Sequence, residues 1–204
     1  MAVSYLQTAY GSDFRNLNLP AVSAIDTEKL TVIGEMISKG INSPLTSSLG
    51  RLFDGVAAIC GIRQRVSFEG QAAMQLEMVA VQGSDTIYDY AWDTDDAYRI
   101  LTEPIIRGVA DDVVKGTPVG EISSRFHRTL ICLFTDLCVQ IGKERELNRV
   151  VLSGGVFQNS ILLTGLTRAL EAKGFKVFSH KLVPTNDGGI ALGQAVVAAA
   201  RMKG

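Results

Sequence analysis

The chain has 204 residues, 47 % hydrophobic and 20 % charged, with 20 Lys plus Arg against 21 Asp plus Glu and a net charge of −1. This composition excludes a disordered chain and a disulfide scaffold, and the absence of a global basic field argues against wholesale coating of nucleic acid. At about 150 residues per domain it allows one large domain or two small ones, and such a length buries a core without a metal staple.

Residues 1–10 predict a short helix with Val3, Leu6, Ala9 and Tyr10 on one face, stopped by Gly11. Residues 12–26 read as a loop around Pro20. Asp26 or Thr27 then caps a helix carrying Leu30, Ile33 and Ile37, which stops at Gly40. Ile41 to Ser48 is a polar loop, and the next helix places Leu52, Phe53, Val56, Ala57, Ile59 and Cys60 at helical spacing before Gly61. Glu69 to Val81 predicts a further helix with Ala72, Ala73, Leu76 and Val79 or Ala80 inward.

Tyr88, Tyr90, Trp92 and Tyr98 alternate with polar residues, which predicts two short strands around the turn Asp93-Thr94-Asp95-Asp96. Pro104 to Lys115 reads as a helix ended by Gly116. After Thr117-Pro118, a cap followed by proline, the positions Val119, Ile122, Phe126, Leu130, Leu133, Leu137 and Ile141 step by three or four. That spacing predicts one long amphipathic helix.

The last third is β-loop-α-β-loop-α: a strand at 149–152, a helix at 159–173, a strand at 175–178 and an Ala-rich helix at 190–202. This order predicts a parallel pair of strands. The division expected is a mainly helical part with a small hairpin (1–148) and a β-α-β-α part (149–204).

Seven of the 20 glycines lie between Gly154 and Gly193, including the pairs Gly154-Gly155 and Gly188-Gly189. A glycine pair between strand and helix either shapes a tight turn or lets backbone N–H groups approach an anion. The spacing matches neither the dinucleotide nor the P-loop fingerprint. Asn159 is either a helix cap or a reader of a purine or ribose edge, and Asp187 either a cap of the last helix or a cation ligand. Gly50 and Asp54 stand at the start and first turn of their helix, where Asp54 either accepts a sugar hydroxyl or matches the helix dipole. His127 reads as a half-buried helical histidine and His180, beside Lys181, as a solvated one. No nucleophilic triad assembles from the sequence.

Cys60, Cys132 and Cys138 are isolated, which suits buried apolar roles and a reducing cytoplasm. No secretory leader or bilayer-length apolar run is visible.

Four strings carry a resemblance. They are Ser43-Pro44-Leu45-Thr46-Ser47-Ser48-Leu49-Gly50-Arg51-Leu52-Phe53-Asp54, Phe68-Glu69-Gly70-Gln71-Ala72-Ala73, Leu152-Ser153-Gly154-Gly155-Val156-Phe157-Gln158-Asn159 and Asn186-Asp187-Gly188-Gly189-Ile190-Ala191-Leu192-Gly193-Gln194-Ala195. In this order they resemble the C-terminal end of the hydrogenase maturation carbamoyltransferases, the HypF family. The final region is also similar to the tRNA threonylcarbamoyl transferases, but Phe157-Gln158 and Gly50-Arg51-Leu52-Phe53-Asp54 favour the hydrogenase branch.

The resemblance implies a helix-rich α/β chain forming the C-terminal half of an actin-like ATPase (ribonuclease-H-like) fold. It implies transfer of a carbamoyl group, from an adenylate made with carbamoyl phosphate and ATP, to the C-terminal cysteine of a hydrogenase maturation partner. By motif position, Gly154, Gly155 and Asn159 hold the nucleotide, Gly50 and Asp54 lie near its ribose, and Asp187 is a ligand for a divalent metal (iron, zinc or magnesium). Family members are several times longer and carry a His-x-x-x-His metal pair that His127 and His180 are too far apart to supply. The expectation is therefore a piece of such an enzyme, active when the missing part, for instance a separate N-terminal half, is supplied. An inactive nucleotide-binding or docking module and a tRNA-modifying relative are the alternatives.

Overall fold

The computed structural model describes residues 1–81, 86–95 and 97–202. The chain forms two compact units, one over Met1–Leu133 and one starting at Phe134.

The first unit is built from helices. They are α1 (Ala2–Tyr10), α2 (Pro20–Ser23), α3 (Thr27–Ser38), α4 (Leu49–Ile59), α5 (Gln71–Met78), α6 (Glu103–Val114) and the N-terminal part of α7 (Val119–Arg145). Their ends follow local chemistry. Asp26 accepts from the Lys29 N–H to cap α3, and the Ser48 hydroxyl accepts from the Arg51 N–H to cap α4. Gly11 at φ 62° and Gly116 at φ 76° take positive-φ conformations, open to glycine without strain, where α1 stops and after α6. The segment 12–26 is not a plain loop. It holds a 3-10 helix, Gly11–Asn16, which buries Phe14, and α2, which starts at Pro20 because proline at the first helical position gives up no hydrogen bond. α5 is shorter than its apolar spacing suggested: Val79 is exposed, and the Val81 N–H turns to Ser124.

Two short antiparallel strands, β1 (Ala91–Asp93) and β2 (Arg99–Leu101), pair Trp92 with Ile100 as the tyrosine-rich stretch predicted. Asp96 of the predicted turn lies outside the described residues. Tyr88 precedes β1, and its ring is buried against Gly108, where an added Cβ would sit 2.3 Å from Cδ1. Its hydroxyl donates to Asp112 Oδ2 at 2.8 Å, and Arg125 Nη1 donates to the same oxygen at 2.7 Å. Its backbone N–H donates to Thr129 Oγ1. One carboxylate thus fixes the segment before the hairpin to both α6 and α7.

Four positions of the predicted α7 stripe, Ile122, Phe126, Leu130 and Leu133, are fully buried. Phe126 and His127 both meet the Phe53 ring edge-on, at 5.0 and 5.3 Å. His127 is fully buried, not half-buried. Its Nδ1 lies 2.8 Å from the Ser123 carbonyl, which can only accept, so Nδ1 carries the proton. Burial holds the imidazole below its ordinary value, against the opposing pull of the Ser123 carbonyl and Glu77.

The second unit contains the rest of α7, β3 (Arg149–Leu152), α8 (Ser160–Ala172), β4 (Lys176–Ser179) and α9 (Ile190–Met202). β3 and β4 are parallel, as predicted, with Val150 opposite Val177 and Leu152 opposite Ser179. Alternation along the strands puts Val150, Leu152 and Val177 on the face that packs against Leu166, Leu170, Phe134 and Cys138. The other positions, Val151 (68 % exposed) and Phe178, remain open, and α9 has no buried residue. Of the cysteines only Cys60 is buried; Cys132 and Cys138 are half-buried, because each lies beside the main apolar stripe of α7. Among the described residues, no helix is long and apolar enough to cross a membrane.

Two outcomes test this packing. Tyr88→Phe removes a buried bond to a charged acceptor and is expected to lower unfolding free energy by about 1.5–3 kcal/mol in urea titration. His127 resists, when folded, a proton that the unfolded chain accepts. Stability is therefore full above the ordinary histidine value of 6.5 and falls as pH drops below it, by at most about 1.4 kcal/mol per pH unit. His127→Gln is expected to lose less stability than the parent between about pH 7.5 and about pH 5.5.

Candidate functional site

The parallel register brings the two glycine-rich loops out side by side. Leu152 and Ser179 are the last paired residues, so Ser153 and His180 follow as neighbours. Ser153 Oγ lies 2.9 Å from His180 Nε2. One residue further, the Gly154 N–H donates to the Thr185 carbonyl at 3.1 Å, and the Thr185 hydroxyl donates back to the Gly154 carbonyl at 3.0 Å. Gly155 completes the contact, since an added Cβ would meet Asn186 Cβ at 3.8 Å. Gly154, Gly155 and Asp187 therefore belong to one cross-tied pair of loops.

The glycines are needed for different reasons. Gly154 adopts φ 108°, a conformation that side chains rarely take, and an added Cβ there would meet nothing within 4 Å. The requirement is conformational, and the space in front of the loop is open. Gly189 is needed for close approach, because a Cβ would lie 2.8 Å from the Pro184 carbonyl oxygen. The Gly188 N–H donates to Asn186 Oδ1 and the Gly189 N–H to the Asn186 carbonyl. With Gly154 donating to Thr185, three of the four glycine N–H groups hold the loops in shape. Gly155 is the member of the two pairs whose N–H has no hydrogen bond among the described residues.

The predicted tight loop after Ser153 is a 3-10 turn, Gly155–Gln158, leading to Asn159. Asn159 is buried and caps α8, with Oδ1 accepting from the Leu162 N–H at 2.8 Å. Its amide oxygen is thus committed to the helix. Asp187 does not cap α9. It opens the short 3-10 turn Asp187–Gly189, where Asn186 provides the side-chain acceptor, and its carboxylate is exposed. Among the described residues no three His, Cys, Asp or Glu side chains converge on a metal. The fit to a divalent cation is therefore that of one open carboxylate at a glycine turn.

Gly50 and Asp54 belong to the first unit. Gly50 is the second residue of α4, and its added Cβ would meet only Ser48 Oγ at 3.7 Å. Asp54 lies in the second turn rather than the first, which removes it from the reach of the helix N-terminus. Burial raises its carboxyl above the ordinary value and Glu69 adds to this, while Arg51 and the N-terminal amine oppose it.

Sequence reasoning missed Ser153, His180 and Thr185. His180 is exposed as expected, but it is partnered rather than simply solvated. The available signal was positional for two of them: Ser153 and His180 each directly follow a strand, and a parallel pair in register sets such residues together, whereas Thr185 lies within the second loop and carries no such signal.

The chain matches the family model described as "Carbamoyltransferase, Kae1-like Domain, second subdomain" over residues 1–194. It is 37 % identical to carbamoyltransferase HypF of Rhizobium leguminosarum bv. viciae over 97 % of this chain and 25 % of that one. Against HypF of Rhodobacter capsulatus it is 35 % identical over 83 % of this chain and 22 % of the relative. The crystal structure of full-length HypF in the phosphate- and nucleotide-bound form superposes with TM-score 0.90 and 41 % identity, covering all of this chain and 26 % of that one. HypF of T. kodakarensis gives TM-score 0.82 at 25 % identity, over 99 % of this chain and 27 % of that one. The chain thus spans about a quarter of the length of these relatives. The likeness agrees with the expected helix-rich α/β fragment of an actin-like, ribonuclease-H-like fold.

The Asn159 cap is separable from any ligand role. Asn159→Ala is expected to destabilise the chain by about 1 kcal/mol in urea titration, and Asn159→Asp to stay within a few tenths, because Asp restores the cap acceptor.

Proposed function

The chain belongs to the HypF carbamoyltransferase family, and on that premise we propose that it supplies part of a nucleotide site for carbamoyl transfer. The observation that carries this reading is the pair of cross-tied glycine loops at the carboxyl ends of two parallel strands, where open α/β sheets bind ligands. In this reading Gly154, Gly155 and Asn159 hold ATP or the carbamoyl-adenylate made from it and carbamoyl phosphate. By motif position Gly50 and Asp54 are assigned to its ribose. Asp187 is one ligand of a divalent cation, iron, zinc or magnesium, and a cation held there neutralises phosphate charge. The remaining ligands come from residues outside this chain.

The acceptor in this reading is the C-terminal cysteine thiol of a hydrogenase maturation partner, on the way to the cyanide ligand of a nickel–iron hydrogenase. The setting is cytoplasmic, and no nucleic acid or membrane takes part. The relatives reported above are all named HypF, which favours this branch over tRNA modification. The open apolar positions on α9, among them Ile190, Leu192, Val196 and Val197, support activity only in company with the rest of the family architecture, such as a separate N-terminal half.

Mixing the chain with the complementing domains, ATP, carbamoyl phosphate and a cysteine-ended acceptor peptide is expected to carbamoylate the peptide, as read by mass spectrometry. Asp187→Asn is expected to lower the yield about tenfold or more. A peptide left unmodified with every component present overturns the reading.

A further inference from the structure

The loops hold one side-chain pair that the family motifs do not assign a role. Ser153 and His180 are both exposed, and both stand at the carboxyl ends of the parallel strands. They adjoin Gly154, in front of which the space is open. Three of the four glycine N–H groups are consumed in shaping the loops, so a ligand phosphate finds few backbone donors there. A phosphate presents three oxygens to hydrogen-bond, and Gly155 offers a single N–H. Side-chain donors must supply the rest.

The Ser153 hydroxyl has one proton and two acceptor lone pairs. With Nε2 protonated, His180 donates into one lone pair at 2.9 Å and leaves the hydroxyl proton free to point outward. No carboxylate among the described residues hydrogen-bonds His180, so nothing prepares the imidazole to strip the proton from Ser153. The pair is arranged to hold a ligand, not to attack one.

Resting on the nucleotide reading above, we propose that Ser153 donates its hydroxyl to a phosphate oxygen of the bound nucleotide, and that His180 is the positioning residue that orients this hydroxyl. The proposal concerns the phosphate end of the ligand alone. Asn159 and the ribose-facing residues of the nucleotide reading are not involved.

Calorimetric titration of the chain together with the complementing domains, with ATP and, separately, with adenosine, tests it. Ser153→Ala and His180→Ala are each expected to weaken ATP binding about tenfold, the effect of one lost charge-assisted bond, while adenosine affinity stays within about twofold. His180→Gln, whose amide can also donate to Ser153, is expected to recover most of the ATP affinity. Unchanged ATP affinity in either alanine variant overturns the proposal and leaves the nucleotide reading standing. Equal losses for ATP and adenosine overturn it in favour of loop collapse. A parent chain that binds neither ligand in the presence of the complementing domains overturns the nucleotide reading and the proposal with it.

Discussion

The parallel register of β3 on β4 is the constraint on which the candidate site depends. Pairing Leu152 with Ser179 places Ser153 beside His180 and Gly154 within reach of Thr185. A shift of β3 by one residue would turn Val150 and Leu152 away from Leu166 and Leu170 and dissolve both the apolar cluster and the tie between the loops. Two strands alone are marginal in water, so the cover of α8 and of the C-terminal part of α7 over one face is what holds the register. Burial of Leu152, Leu166 and Leu170 therefore positions the polar groups of the site, although none of the three is polar itself.

The first unit solves a different problem. Its helices carry enough apolar surface to make a core, but the segment before the hairpin needs polar anchoring. Asp112 provides it by accepting from Tyr88 and Arg125 at one oxygen, almost out of contact with water. A carboxylate in that position is tolerable because both partners satisfy it; losing either would leave a buried charge short of donors. Gly108 and Gly55 serve the same packing by omission, each admitting a tyrosine ring where a Cβ could not stand.

The glycines of the second unit illustrate how one residue type meets unrelated demands. Gly154 supplies a positive-φ extended conformation, Gly189 a close backbone approach, and Gly155 an N–H unspent among the described residues. Reading both pairs as donors to an anion overstates what the loops offer, because self-pairing takes most of the N–H groups first. A loop tied in this way has its shape set by its own hydrogen bonds, and such preorganisation is useful to a binding site. The half-open state of the second unit, with Val151, Phe178 and α9 facing solvent, fits a chain that spans about a quarter of the length of its relatives.

The sequence by itself determined the elements whose cause is local. Apolar steps of three or four produced α4 and α7, the short apolar run at 149–152 produced β3, and Asp26 and Asn159 marked helix starts by their capping oxygens. It also carried the motif strings that point to the family. Local cues fell short where a short element is stabilised by what it packs against, as with the 3-10 helix that buries Phe14 and the early end of α5. Only the tertiary structure decided that Ser153 meets His180, that Thr185 ties down Gly154 and that Tyr88 shares Asp112 with Arg125. These contacts join residues 13 to 31 positions apart and follow from strand register and helix packing, which no single stretch of sequence encodes.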